Sequence, residues 1–189
     1  MDKFAGGFII ACFVVFYAYL FAAAFRQKRT VERVRYPFRI PALLLLFVIA
    51  VIIARAFPGT GIGDFFGHKP AWREALADFT VFCGFVLAVW ARTVLGGNWS
   101  SRTVFKEGHE LIERGPYRYV RHPMYSGMLL ALAGLAIWVA HVGIIVIFAV
   151  CVLGVLARAQ QEEALLSHHF PMAYREYKRR TKALIPFVF

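Results

Sequence analysis

The feature that most constrains the fold is a run of 33 residues, Tyr125–Ala157, that contains no Asp, Glu, Lys or Arg. As one α-helix it would be about 50 Å long, whereas the hydrocarbon core of a bilayer is about 30 Å thick. The run therefore predicts two membrane helices that form a hairpin. We expect the turn within Ala140–Gly143, where His141 can reach the membrane surface, and a short first member of the hairpin.

Three further apolar segments precede this hairpin. The first, Phe4–Phe25, has 22 residues without a charge and can cross a bilayer as a helix. A cleaved signal peptide is the alternative, but only Lys3 supplies a positive start, the apolar stretch is too long, and basic residues follow it. The second segment is Ile40–Phe57, with a proline in its first turn. The third is Ala75–Leu95, with Asp78 near its outer end.

The sequence thus predicts an all-α integral membrane protein of five transmembrane helices, with a cytoplasmic C-terminal helical segment. We expect one membrane domain over residues 1–189, in which residues 1–95 form the first three spans and residues 96–189 form the half that carries the candidate site.

The basic residues predict the orientation of the spans. The formal net charge is +11, and the loop Arg26–Arg39 is rich in Lys and Arg with Glu32 as its single acid. Such loops stay in the cytoplasm, and the segments that follow the third and fifth spans are basic too. Pro58–Arg73 is poorer in charge and is expected outside. The N-terminus is therefore predicted outside and the C-terminus inside.

The same charge could attract a nucleic acid, but the basic residues lie beside the ends of spans, where lipid head groups meet them. We therefore expect membrane lipids as partners and no nucleic acid. Cys12, Cys83 and Cys151 fall in predicted spans without paired spacing, which indicates packing residues rather than disulfides or metal ligands.

Polar residues on the predicted cytoplasmic side form two blocks. Asn98–Tyr125 mixes Gly, Pro, aromatic and charged residues without helical periodicity, which predicts mainly loop. Arg158–Phe189 extends the fifth helix, and a break near Phe170–Pro171 precedes another helical segment.

Arg121–His122–Pro123 stands where the first block meets the fourth span. Arginine at mid-bilayer costs about 2.5–3.5 kcal/mol, so Arg121 is expected at the membrane surface or in a polar cavity. Pro123 can begin the helix, whose first N–H groups then favour an anion. A carboxylate held there is one interpretation. The alternative is that Arg121 reaches lipid phosphates and His122 caps the helix.

The second block begins with Arg158, Glu162 and Glu163. Arg158 and Glu162 are four residues apart and can form an ion pair on one helix face. Glu163 is then left to accept hydrogen bonds from sugar hydroxyls or to hold a cation. Further along, the spacing of Tyr174 and Tyr177 predicts an interfacial amphipathic helix with its tyrosines in an aromatic belt.

Three other patterns do not support a site. His109–Glu113 begins like a zinc-protease helix but lacks the second histidine, and Gly59–Gly67 does not fit a dinucleotide-binding loop. His168 and His169 are adjacent, whereas helical metal ligands usually need a spacing of four. We therefore predict no metal site.

Taken together, "GPYRYVRHPMYSG", "RAQQEEALLSHHFPMAYREYKRR" and the terminal "LIPF" resemble the isoprenylcysteine carboxyl methyltransferase family, integral-membrane relatives of the phospholipid N-methyltransferases. The resemblance covers Ala91–Phe187, and "ARTVLGGNWSSRTVFKEGHELIERGPYR" looks like its bacterial branch, which implies the bacterial inner membrane. The family usually has glycine after the phenylalanine of the second motif, whereas this chain has Pro171, so the turn into the last segment is expected to differ.

The resemblance implies transfer of a methyl group from S-adenosylmethionine to a lipophilic acceptor, such as a prenylcysteine-type carboxylate. It places the cofactor against His122, Pro123, Tyr125, Gly127, Glu162 and Glu163. It also suggests that Arg121 and Arg158 orient a carboxylate, with Glu162 in the catalytic set.

The residues themselves are compatible with this chemistry. The faces of Tyr125 and Trp99 can hold a sulfonium cation, and a carboxylate acceptor needs little help from an acid or base. Three alternatives stay open: a phospholipid or amine N-methyltransferase, in which His122 or a glutamate would act as base; an NADPH-dependent membrane reductase; and a non-enzymatic transporter or scaffold.

Overall fold

The computed structural model describes residues 2–25, 30–33, 71–99, 104–140 and 142–186. These residues form five α-helices, two short 3₁₀ segments and two short strands. The helices are α1 (Asp2–Ala24), α2 (Ala71–Leu95), α3 (Pro123–Val139), α4 (Val142–His169) and α5 (Pro171–Arg180). The helical class is therefore confirmed. Among the expected features, the second span, Ile40–Phe57, the loop Gly59–Gly67 and His141 lie outside the described residues.

The helices agree with four of the five predicted spans in position. Two regions, Ala71–Asn98 and Ile144–His169, are long and apolar enough to cross a membrane, and shorter apolar helices occupy Gly7–Ala23 and Pro123–Val139. Five transmembrane helices, the hairpin and the single domain accordingly remain predictions. The predicted break between α4 and α5 is confirmed, because α4 ends at His169 and α5 begins at Pro171.

The break between α3 and α4 falls within the expected turn. Ala140 has left-handed backbone angles, φ 50° and ψ 42°, and its N–H donates to the Ala136 carbonyl at 2.8 Å. This is the usual way to end a helix, although the position favours glycine and costs alanine on the order of 1 kcal/mol. The 17 residues of α3 make it much shorter than α4, which has 28.

The closest helix packing joins α2 to α3 through small residues. A Cβ atom added to Gly84 would lie 2.5 Å from the Ala131 nitrogen, and one added to Gly127 would lie 2.5 Å from the Gly84 carbonyl oxygen. Gly134 approaches the Ala77 carbonyl in the same way. Small residues are favoured between membrane helices because they let backbones come close together and maximise van der Waals contact.

Helix α1 also packs against α2, through aromatic rings and one buried arginine. The ring of Phe16 stacks on Phe85 with centroids 4.6 Å apart. Arg92 is buried and donates to the Ala23 carbonyl at 2.9 Å and to the Gly96 carbonyl at 2.8 Å. Because these carbonyls belong to the C-terminal ends of α1 and the α2 region, the two helices end on the same side.

The all-α prediction missed a small antiparallel sheet. Strand β1 (Thr30–Arg33) pairs with β2 (Val104–Lys106), with Thr30 opposite Lys106 and Arg33 opposite Val104. The strands have only four and three residues, too few for an alternating pattern to be recognised. The pairing joins the segment after α1 to the segment after α2, both of which were predicted to be cytoplasmic.

Substitution of Gly84 tests the contact between α2 and α3. We expect Gly84→Ala to destabilise the protein by about 1–3 kcal/mol, because the new methyl group meets backbone atoms that cannot move aside. Gly7→Ala is the control, since nothing lies within 4 Å of the added Cβ in α1. Thermal unfolding in detergent measures both variants. An equal or higher unfolding temperature for Gly84→Ala would contradict the close packing.

Candidate active site

Two prolines shape the polar ends of the helices in the same way. His122 precedes Pro123 with φ −126° and ψ 56°, and Phe170 precedes Pro171 with φ −128° and ψ 58°. A residue before proline avoids the helical region, and proline at the first helical position loses no hydrogen bond. Pro171, the departure from the family pattern, thus begins α5 without disturbing it.

The chain after α5 returns to the beginning of α3. The N–H groups of Arg121 and His122 donate to the carbonyls of Lys182 and Ala183 at 2.8 and 3.0 Å. The Ser126 hydroxyl donates to the Leu184 carbonyl at 2.6 Å. We call residues 181–186 the tail. These bonds align the tail with the first turn of α3.

Between α3 and α4 lies a partly buried group formed by Tyr125, Arg158 and Glu162. The Tyr125 hydroxyl donates to Glu162 Oε1 at 2.6 Å, and Arg158 Nε lies 2.7 Å from the tyrosine oxygen and 3.0 Å from the same carboxylate oxygen. The predicted ion pair between Arg158 and Glu162 is therefore present, and Tyr125 joins it. These bonds place the beginning of α3 beside the last turns of α4.

A second group surrounds Glu163. Its Oε1 accepts from Arg121 Nε at 2.7 Å, and its Oε2 lies 2.7 Å from Lys178 Nζ. Arg121 also donates through Nη1 to the Thr181 carbonyl at 2.6 Å. The guanidinium that was expected to bind a ligand carboxylate or lipid phosphates thus binds a carboxylate of the chain. The bond joins the start of α3, the polar end of α4 and the tail.

His122 lies between the two groups. Its Nδ1 is 3.7 Å from Glu162 and its Nε2 is 3.4 Å from Glu163, and its ring stacks on Tyr125 with centroids 5.6 Å apart. The imidazole is buried, and Nε2 makes no hydrogen bond. The two ring nitrogens thus lie within 4 Å of one carboxylate each.

The prediction of an aromatic belt on α5 was wrong. Tyr174 and Tyr177 are buried, with relative exposures of 1% and 3%, and the Tyr177 hydroxyl donates to the Tyr117 carbonyl at 2.7 Å. Burial raises the pKa of both phenols above that of free tyrosine, and the carboxylates Glu163 and Glu113 add to the rise for Tyr174 and Tyr177 respectively. Both therefore stay protonated at neutral pH, and α5 is fixed against the site.

Three other residues predicted to contact the cofactor make different contacts: Gly127, Pro123 and Trp99. Gly127 is in contact with α2, so its lack of a side chain serves helix packing, and Pro123 is fully buried where α3 begins. The Trp99 ring has the guanidinium carbon of Arg92 4.5 Å from its centroid. His168 and His169 have rings 5.2 Å apart, and the described residues include no group of three metal-binding side chains.

Sequence analysis missed Lys178, Thr181 and Ser126 as parts of the site. Lys178 and Thr181 lie in a strongly basic segment where several cations are alike, and Ser126 resembles any small polar residue in an apolar helix. Their partners are 15, 60 and 58 residues away in the chain, so no local spacing could reveal the contacts.

A cavity of about 460 Å³ opens beside Glu163. Arg121, Gln160 and residues 181–183 form part of its polar wall, and Leu156 and Ala159 of α4 contribute apolar surface. Ligand sites commonly have volumes of about 300–1,000 Å³. The cavity therefore has the size and the mixed surface needed for a small polar ligand that meets an apolar one.

A family model described as phospholipid methyltransferase matches residues 72–173, which is more than half of the chain. The chain belongs to the phospholipid methyltransferase family. The match extends from α2 through both glutamates to the first turn of α5. It confirms the membership predicted from the two polar segments.

Named relatives support this family assignment. Protein-S-isoprenylcysteine O-methyltransferase B of Arabidopsis thaliana is 36% identical over 84 residues, which are 44% of this chain and 43% of that protein. A probable protein-S-isoprenylcysteine O-methyltransferase of Oryza sativa subsp. japonica is 27% identical over 186 residues, 94% of each chain. The rat protein-S-isoprenylcysteine O-methyltransferase is 28% identical over 120 residues, 62% of this chain and 42% of that protein. The chain thus matches less than half the length of the Arabidopsis relative.

Replacement of Arg121 tests whether it holds the tail. We expect Arg121→Gln to increase amide hydrogen exchange at His122, whose N–H donates to the Ala183 carbonyl of the tail, at least tenfold. The bonds to Glu163 and the Thr181 carbonyl are lost together, and a charged hydrogen bond contributes about 1.5–3 kcal/mol. Arg175→Gln removes an exposed arginine of α5 and serves as the control. Unchanged exchange in Arg121→Gln would show that the backbone bonds alone fix the tail.

Proposed function

We propose that the protein is an integral-membrane methyltransferase that moves a methyl group from S-adenosylmethionine to a lipophilic acceptor. The observation that carries the proposal is the Glu163 carboxylate, which lines a cavity whose wall also includes apolar residues of a membrane-length helix. Glu162 is its neighbour in the chain. Family membership supports the same reaction.

The residues around the cavity fit the chemical groups of this cofactor. Glu163 and Glu162 can accept hydrogen bonds from ribose hydroxyls, and cations on the cavity wall can pair with the carboxylate of the methionine portion. S-adenosylmethionine supplies an electrophilic methyl group on a sulfonium centre.

The protein's own residues position the reactants and exclude water. Tyr125 and Arg158 hold Glu162 in one orientation, while Arg121 and Lys178 hold Glu163. The tail closes one side of the cavity. Methyl transfer requires the acceptor to approach in line with the breaking bond, so a fixed wall and a dry site provide most of what catalysis needs.

A carboxylate is the acceptor that this arrangement suits best. It is already nucleophilic, so one of its oxygens takes the methyl group without loss of a proton, and the product is an ester. The names of the relatives refer to isoprenylcysteine, and we infer that a prenylcysteine-type acid is the acceptor here. Such a molecule would reach the cavity from the lipid phase beside Leu156 and Ala159.

A phospholipid amine is the second candidate acceptor. An ammonium group must lose a proton before it attacks, and the His122 ring, within 4 Å of both carboxylates, is the candidate base. The name of the matching family refers to phospholipids, which supports a phospholipid amine as a candidate acceptor. In either case we propose that the site faces the cytoplasm of a bacterial inner membrane, with the N-terminus outside.

Removal of the Glu163 charge tests the cofactor assignment. We expect Glu163→Gln to weaken binding of S-adenosylmethionine about 10- to 100-fold, because hydrogen bonds to a charged group contribute about 1.5–3 kcal/mol. Glu176→Gln is the matched control, since Glu176 lies on α5 with its side chain 64% exposed. Calorimetry on detergent-purified protein measures both. Equal affinities for the two variants would exclude a special role for Glu163, and no binding by the unaltered protein would exclude the methyltransferase proposal.

Product analysis distinguishes the two acceptors. The protein is incubated with methyl-labelled cofactor and either N-acetyl-S-farnesylcysteine or phosphatidylethanolamine. We expect label in the farnesylcysteine as a methyl ester, which mild base releases as methanol, whereas an N-methyl group survives this treatment. Label that is stable to base and confined to phosphatidylethanolamine would establish the amine reaction instead.

A further inference from the structure

The tail lies at the level where α3 enters its apolar run. Ser126, one turn into α3, binds the Leu184 carbonyl, and Arg121 and His122 bind the carbonyls before it. Helix α4, in contrast, continues for 12 residues after Ala157, which is about 18 Å along its axis. Helix α5 therefore begins about 18 Å beyond the end of the apolar run of α4, and the tail after it returns to the start of α3.

The returning chain presents cations and one apolar side chain outward. Arg179 has a side chain 77% exposed, Lys182 is exposed, and Ile185 is 55% exposed. We call these three residues the tail rim. The contact of Arg179 with Glu176 spans 4.0 Å between exposed groups, so it offers little stabilisation and leaves the guanidinium available.

We propose that the tail rim binds the phosphate group of an anionic phospholipid. Arg179 and Lys182 would meet the phosphate, while Ile185 enters the adjacent acyl region. Both cations lie at the edge of the cavity, and Ile185 is exposed in the same stretch of chain, so charge and apolar surface occur together as an amphiphile requires. Each Lys or Arg close to an anionic surface adds appreciable affinity, and the effect falls within a Debye length.

Lipid binding at the rim would also strengthen the cofactor site. The chain that carries the rim supplies Lys178 to Glu163 and the Thr181 carbonyl to Arg121. A lipid that holds Arg179 and Lys182 in place therefore favours the arrangement in which Glu163 is fixed. Because such coupling is reciprocal, a bound cofactor should in turn increase retention of the lipid. This part of the inference rests on the proposed function, whereas lipid binding itself does not.

Nanodiscs of two compositions test the inference. One contains phosphatidylcholine alone, and the other contains about one-third phosphatidylglycerol. We expect the Kd of S-adenosylhomocysteine, the demethylated cofactor, to be about fivefold or more lower with phosphatidylglycerol, within the usual range for coupled sites. In the double variant Arg179→Gln, Lys182→Gln, the ratio of the two Kd values should fall to about 1, whatever the absolute affinity.

The control variant is Arg118→Gln, Arg175→Gln, which removes the same charge from exposed positions that do not border the cavity. This control variant should keep the ratio of the two Kd values found for the unaltered protein. If it also loses this ratio, the lipid effect comes from general attraction of basic residues to the membrane surface, which would contradict a site at the tail rim. Soluble glycerol phosphate added to phosphatidylcholine discs should not lower the Kd, and a decrease would identify free phosphate as the ligand instead.

Retention of labelled phosphatidylglycerol during detergent purification gives a readout independent of the cofactor. We expect about tenfold less retention by the rim variant than by the control variant, and equal retention would overturn the lipid inference. If S-adenosylhomocysteine binds in neither type of disc while retention differs as expected, the cofactor proposal fails and the lipid site stands.

Discussion

The candidate site depends on one guanidinium, that of Arg121. It binds the Glu163 carboxylate on α4 and the Thr181 carbonyl of the tail, while its own backbone belongs to the segment that begins α3. Three parts of the chain that are far apart in sequence therefore meet at one side chain. Loss of one partner of a buried ion pair typically costs about 3–5 kcal/mol, because the other charge is left uncompensated. The side chains of Arg121 and Glu163 are only 12% and 13% exposed, but Lys178 still pairs with Glu163 at 2.7 Å when Arg121 is lost, so only part of that cost applies here.

This contact is possible only because the helices beneath it are held in place. Gly84 and Gly127 bring the backbones of α2 and α3 into contact, which fixes where α3 begins and so where Arg121 lies. In a bilayer the hydrophobic effect does not drive helices together, so close packing of small residues must provide the stability. A glycine expected to border the cofactor thus supports the site indirectly, through the position of its helix.

The sequence was sufficient for features that depend on local chemistry. Long apolar runs predicted α1, α2, α3 and α4, and the proline after Phe170 predicted the break before α5. The four-residue spacing of Arg158 and Glu162 predicted their ion pair. Contacts between distant segments were beyond such reasoning. Tyr174 and Tyr177 have the spacing of an interfacial helix, and only the packing of α5 against Tyr117 shows that they face inward. The small residues at 84, 88, 127 and 131 did carry a readable signal, because pairs four apart are typical of close helix contacts.

The unequal lengths of α3 and α4 explain why polar groups gather at one corner. The two helices differ by 11 residues, or about 16 Å, and their contacting ends are Tyr125 and Glu162. Residues 164–169 of α4 therefore project beyond the start of α3, whereas Glu162 and Glu163 lie at the level where α3 begins. Helix α5 then has room to fold back over the end of α4 that extends past α3, and the tail covers the region between them. A water-soluble ligand can reach the polar end of α4 from the aqueous side. The same helix continues without a break into its apolar part. The mismatch of two helices thus creates a place where a polar and a lipophilic reactant can meet.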